Sequence, residues 1–188
     1  MSLSIMMNTD HPCRKECMKI LEEYGTPAHV IAHCRAVADT ALRLGRALND
    51  MGYRKPDGKP LDLGLIEAAG LLHDISRTHE RHWDVAADML CEKGLIKEAE
   101  IIRTHMHYPR FSDVSDINET DLVCLGDRLV IEDKYAGVEK RIEYIINKEM
   151  KKGRSVPREK LDSVKGEISR FTKALEEILG RDLEDICR

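Results

Sequence analysis

Apolar positions along this chain recur at steps of three and four, and no stretch alternates as a strand would, so the pattern predicts an all-α fold. The first predicted helix covers residues 12–24 and stops at Gly25. Thr26 then reads as the N-cap and Pro27 as the first residue of a second helix. Its apolar stripe is Val30, Cys34, Val37, Ala41, Leu44 and Leu48, with His33 beside it. Residues 52–60, which hold Gly52, Pro56, Gly58 and Pro60, read as a loop. A third helix runs from Asp62 to His73-Asp74, and Ile66, Ala69 or Gly70, and His73 share a face that turns the histidine inward.

A polar, His-rich loop follows at 76–82, then a fourth helix that stops near Lys93 before Gly94. A fifth covers 95–107, with Ala99, Ile102 and His105 on one face. The sixth covers 119–133, with Val123, Asp127 and Val130 on one face, and the seventh covers 137–152. The last, over 158–179, carries the stripe Leu161, Val164, Ile168, Phe171, Leu175 and Ile178. That spacing is a two-helix seam. It either covers the parent core, the reading favoured here, or pairs two subunits into a homodimer.

Size and charge narrow this picture. At 188 residues one domain is expected, with a core over about 26–150 and terminal helices at about 12–24 and 158–180. Charged residues make up 34%, mean hydropathy is -0.41, and no apolar run approaches the roughly 20 residues of a membrane span. Met1-Ser2-Leu3-Ser4-Ile5-Met6-Met7 lacks the basic start and apolar stretch of a signal peptide and is set aside from fold reasoning. Cys13, Cys17, Cys34, Cys91, Cys124 and Cys187 form no CxxC pair, which suits a reducing cytoplasm. Cys34, Cys91 and Cys124 lie in apolar patterns and read as core residues, whereas Cys13 and Cys17, one turn apart, read as ordinary thiols. A net charge of -4 argues against general nucleic-acid affinity.

The chemistry lies in His33, His73-Asp74 and Asp127. Imidazoles and carboxylates on separate apolar segments are expensive to bury unless they share a divalent cation. A lone histidine on an apolar face is usually a satisfied core residue. Four such groups in the order His, His-Asp, Asp, all on helices, are a stronger signal. The ligand set suits Fe, Mn, Co, Ni or Zn without choosing among them.

The segments that carry these residues are Pro27-Ala28-His29-Val30-Ile31-Ala32-His33-Cys34-Arg35-Ala36-Val37-Ala38, Ala68-Ala69-Gly70-Leu71-Leu72-His73-Asp74-Ile75 and Leu125-Gly126-Asp127-Arg128-Leu129-Val130. They resemble the HD superfamily of metal-dependent phosphohydrolases over roughly residues 29–148. The resemblance implies that His33, His73, Asp74 and Asp127 hold a first metal. Some branches carry a second ion on two further histidines, and His82 and His105 match those places, with Ala86 where a glycine is usual. One or two ions are therefore expected. Of the other histidines, His29 is close enough in sequence to reach the site, His79 and His107 read as loop residues or substrate contacts, and His11 reads as unconnected.

A metal-activated water would attack a phosphate ester, with Asp74 as the catalytic carboxylate and Arg77 as the cation on the phosphate. Arg77 also has a plain reading as a solvated loop residue. Arg81, Arg103 and Arg128 are weaker candidates, Arg128 being ready to pair with a carboxylate. Trp83 and Tyr108 adjoin histidines and either stack on a base or simply pack. The substrate implied is a small phosphorylated molecule, such as a nucleotide. The alternatives are a di-iron oxygenase of similar fold, which would consume O₂, and a non-catalytic ligand-binding domain.

Overall fold

The computed structural model describes residues 10–108, 110–155 and 157–188; the Met1–Met7 segment lies outside them. Among the described residues the chain forms α1 (Arg14–Glu23), α2 (Ala28–Asp50), α3 (Leu63–Leu72), α4 (His82–Glu92), α5 (Ile96–Thr104), α6 (Glu119–Leu129), α7 (Val138–Lys151), α8 (Arg158–Leu179) and α9 (Leu183–Cys187). The fold is all-α, with one two-stranded ribbon, β1 (Val130–Ile131) and β2 (Lys134–Tyr135), paired antiparallel.

α3 is the centre. Leu65, Ile66 and Ala68 to Leu72 are all buried, because the helix is apolar around its whole circumference and is packed by α1, α2, α5 and α6. Its two sides serve two apolar clusters. Leu65, Ile66 and Ala69 join Leu44, Leu48, Leu122 and Phe171. Ala68, Leu71 and Leu72 join Leu21, Ala87, Leu90 and Ile102. Asp62 caps α3 by accepting from the Gly64 and Leu65 amides, both at 3.1 Å. His11 bridges that cap to Glu98 of α5, at 3.1 Å to Asp62 and 2.7 Å to Glu98. The residue with no assigned part in the chemistry is thus a buried clamp on the N-terminal segment.

Two glycines set how closely the site-bearing helices approach α2. A Cβ at Gly70 would lie 2.8 Å from Ala38 Cα, and one at Gly126 would lie 2.9 Å from the Val37 carbonyl oxygen. Both contacts are with backbone, so only glycine lets α3 and α6 press onto the middle of α2. His73 and Asp127 follow these contacts by three residues and by one.

Several local expectations are corrected. Thr26 does not cap α2; its hydroxyl donates to the Ile75 carbonyl at 2.9 Å, and Pro27 stands at the cap position. The sixth helix ends at Leu129, four residues early, because β-branched Val130-Ile131 turns extended and the Ala136 and Gly137 amides take up the free Leu129 carbonyl at 2.8 and 3.1 Å. The fifth helix tightens into a 3₁₀ turn at His105–His107. Cys91 is exposed rather than core. In α8 only Ile168, Phe171, Leu175 and Leu179 are buried, while Val164 is exposed, so the stripe covers the core through its C-terminal half. There Phe171 stacks on Phe111, with centroids 4.5 Å apart. α9, too short for a periodicity signal, was not expected.

Candidate metal centre

Two buried histidines are aimed by their own helices. His73 follows the last turn of α3 and donates its Nδ1–H to the Gly70 carbonyl at 2.8 Å. His105 follows α5 and donates to the Ile102 carbonyl at 2.6 Å. Carbonyls in a final helical turn lack an intrahelical partner, so each imidazole satisfies one and presents a free Nε2 lone pair. His33, on α2, donates from Nδ1 to the Glu132 carbonyl at 2.8 Å. Glu132 has φ 53, a left-handed conformation uncommon for a non-glycine residue, in the two-residue turn between β1 and β2. Arg81, immediately before His82, is the other such residue among those described, at φ 51. Its turn is held by Ser76, whose hydroxyl donates to the His82 carbonyl at 2.6 Å. Both strained positions support a histidine of the cluster, the kind of place where strain collects at functional sites.

The side chains converge in two groups, His33–His73–Asp127 and Asp74–His82–His105, with potential ligand atoms in each within 4.8 Å of one another. Ions with bonds near 2 Å hold their ligand atoms about 3–4 Å apart, so modest closure suffices. Asp74 joins the groups. Its Oδ2 is 3.7 Å from His73 Nε2, and its Oδ1 is 3.1 Å from His82 Nε2 and 3.8 Å from His105 Nε2. His33 Nε2 is 3.1 Å from Asp127 Oδ1. His73 Nε2, Asp74 Oδ1 and His105 Nε2 are buried without any hydrogen-bond partner. Unpaired buried polar atoms are strongly unfavourable, and these three, drawn from both groups, fit divalent cations. The nitrogen and oxygen donors suit the metals expected.

The electrostatics agree with this. Burial pushes His73 down to about 4, which keeps its imidazole neutral and available as a ligand. Burial opposes charge on Asp74, but the imidazoles of His73, His105 and His82 and the Arg77 guanidinium outweigh it and hold the carboxyl well below its usual range. Asp127 is likewise lowered against its burial, by His33, His73 and Arg141. His33 is raised, because its hydrogen bond to Asp127 overcomes burial.

All six sequence-predicted ligand residues meet here, and Arg77 sits at their edge. Its Nε is 3.4 Å from Asp74 Oδ2 and its Nη1 is 2.8 Å from His82 Nε2. Trp83 packs edge-on against His82 and His107, at 5.1 and 4.8 Å between centroids. Tyr108 donates its hydroxyl to Asp121 at 2.9 Å, and its ring meets Phe111. Arg128 donates to the Tyr108 carbonyl at 2.8 Å rather than to a carboxylate, and Arg81 and Arg103 pair with acids on α4. His29, His79 and His107 are exposed and outside both groups. Sequence reasoning missed Arg141 of α7, whose Nη2 lies 3.3 Å from Asp127 Oδ1. Its one signal was a cation beside the buried Ile142 of an amphipathic helix.

The pattern of the HD domain family matches residues 30–130, and the chain belongs to that family. Among curated proteins, a tRNA (cytidine(56)-2'-O)-methyltransferase of Thermoplasma volcanium is 24% identical over 191 residues, covering 93% of this chain and 50% of that protein. Its counterpart from Picrophilus torridus is 24% identical over 193 residues, covering 94% and 50%. An uncharacterized protein of Methanocaldococcus jannaschii is 38% identical over 77 residues, 39% of this chain and 42% of that one. The chain thus spans about half the length of the methyltransferases it matches. No solved structure matches it.

Proposed function

We propose that this protein is a metal-dependent phosphohydrolase that cleaves a phosphate ester of a small molecule, a nucleotide in the first instance, in the cytoplasm and as a single domain. The observation that carries the reading is Asp74, which offers one oxygen to each of two histidine groups, while its own Oδ1 and the facing His73 Nε2 and His105 Nε2 are buried without hydrogen-bond partners. His33, His73, Asp74 and Asp127 would hold one ion, and Asp74, His82 and His105 a second. A divalent ion held by these residues would supply Lewis acidity and a water acidic enough to attack near neutral pH.

The chain's own groups supply the rest. Asp74 orients the donors on both sides, and the backbone carbonyls of Gly70, Ile102 and Glu132, by accepting from the Nδ1–H groups of His73, His105 and His33, fix the imidazole tautomers. Arg77, partly exposed beside Asp74, neutralises the phosphoryl oxygens as they enter. The water oxygen bonds to phosphorus, the P–O ester bond breaks, and a proton from that water ends on the leaving alcohol. Two relatives are named for modifying a tRNA cytidine, which points the substrate toward nucleotides.

The test is metal analysis of freshly purified protein, followed by a phosphate-release screen over nucleoside monophosphates and sugar phosphates. About two equivalents of metal and anaerobic phosphate release are expected. Consumption of O₂ by the iron-loaded protein would replace the hydrolase with an oxygenase. Bound metal with no turnover would leave a ligand-binding domain.

A further inference from the structure

α7 brings more to the cluster than one arginine. Arg141, Tyr144 and Lys148 follow one another at i, i+3 and i+7, so they line a single face of the helix about 10 Å long. The three side chains touch in series. The Arg141 guanidinium lies 5.9 Å from the Tyr144 ring centroid, and Lys148 Nζ lies 5.6 Å from the same centroid. At its inner end the stripe begins on Asp127, where Arg141 Nη2 approaches to 3.3 Å and Arg141 Nε is buried without a partner. Lys148, at the outer end, is exposed. It reaches the cluster in series, through the Tyr144 ring and Arg141 to Asp127.

The stripe also runs toward a local excess of positive charge. From residue 148 to 160 the chain holds Lys148, Lys151, Lys152, Arg154, Arg158 and Lys160 against Glu149 and Glu159, in a protein whose net charge is -4. Lys152 and Arg154 already share Glu149, at 3.0 and 3.6 Å. Lys148 stands beside a tyrosine face of the kind that nucleobases stack upon.

We infer that this face of α7 is a binding stripe for a nucleotide bearing a second phosphate. The scissile phosphate lies over the His/Asp cluster between Arg77 and Arg141, the nucleoside lies against Tyr144, and the second phosphate lies on Lys148. The inference rests on the phosphohydrolase reading for which phosphate is cleaved, but the stripe itself is testable by binding alone. The second phosphate could be a free one, as in a nucleoside 3',5'-bisphosphate, or an internucleotide one, as in a 5'-phosphorylated dinucleotide.

The experiment compares adenosine 5'-monophosphate, adenosine 3',5'-bisphosphate and 5'-phosphoadenylyl-adenosine on the metal-loaded protein, in turnover and by calorimetry. The wild type should prefer one of the doubly phosphorylated ligands over the monophosphate by about tenfold, the worth of one charge-assisted contact. Which of the two wins identifies the source of the second phosphate. Lys148→Ala should collapse the preference, Lys148→Arg should restore it, and metal content and melting temperature should be unchanged in both. Equal binding of all three ligands by the wild type, or an undiminished preference in Lys148→Ala, overturns the stripe. If none is hydrolysed but the preference and its loss are seen in calorimetry, the stripe stands and the hydrolase reading falls.

Discussion

α3 and α7 both bring side chains to the same His/Asp cluster, and they are held in opposite ways. α3 is enclosed by four helices and buries seven of its ten residues. α7 has fourteen residues and buries only Ile142. The first ends in His73 and Asp74, whose donor atoms must stay within a few tenths of an ångström of one geometry. The second carries Arg141, Tyr144 and Lys148, long side chains that adjust to what they meet. Rigidity therefore belongs to the floor of the site and adaptability to its rim. Free-energy differences between variants should be large at the first and small at the second.

The largest effect is expected where the floor is the chemistry itself. Asp74→Ala removes the carboxylate placed between both histidine groups, so phosphate release should fall below detection and bound metal should drop by at least one equivalent. Metal analysis and a turnover assay read both. Retention of two equivalents would show that Asp74 does not bridge.

Next comes the packing that delivers the ligands. Gly70→Val places a branched side chain where even a Cβ lies 2.8 Å from the Ala38 backbone. Overpacking of this kind costs about 1–3 kcal/mol or more. In a protein of this length that lowers Tm by roughly 2–12 °C. The variant should also load less metal, since His73 is carried on the same turn. An unchanged melting curve would mean that α2 and α3 are not in close contact in solution.

How much of this contrast was visible in the sequence follows from the same physics. The floor was legible because its residues are fixed by their own helices. His73 and His105 share faces with Ile66 and Ile102, and periodicity alone turns those faces inward. The rim and the supports were not. Glu132 works through its carbonyl, which any residue would supply, and its φ 53 arises from a turn after β-branched residues that read as helix. Arg141 meets Asp127 only because the β1–β2 ribbon folds α7 back toward α6, a tertiary event without a local signal. Tyr108 drew notice beside His107, yet its neighbour in space is Asp121.

Acidity separates the two regions again. In protein stripped of metal by chelation, the neutral, buried His73 has its pKa lowered from 6.5 to about 4. Between those values the unfolded chain binds a proton that the folded chain refuses, so stability falls as pH drops from 6.5 toward 4, by roughly 3 kcal/mol from this residue. The lowered carboxyls of Asp74 and Asp127 extend the loss below their ordinary titration range. His33 has the opposite sign: its raised pKa gives stability that is fully present below 6.5 and is lost as pH rises through the folded value. Urea midpoints should therefore fall as pH drops from 6.5 toward 4, and His33→Gln should leave that fall in place while removing the loss of stability that the wild type shows as pH rises above 6.5. A flat profile in the metal-free protein would contradict the burial of His73.

The smallest effect probes how firmly the rim is ordered. Gly166 lies in the exposed N-terminal half of α8, and a Cβ there meets nothing within 4 Å. Its backbone is helical, so alanine fits without strain and removes the excess freedom of glycine from the unfolded chain. Where α8 is formed in solution as far as residue 166, Gly166→Ala should stabilise by up to about 1 kcal/mol. That is a rise of roughly 2–4 °C in Tm. Gly70 is the control, because substitution there has the opposite sign for a purely steric reason. No rise in Gly166→Ala would mean that α8 begins its cooperative structure only near Ile168, where burial starts. α7, which packs on α8, would then lean on a helix ordered only from its middle onward, and the division between a rigid floor and an adaptable rim would be sharper.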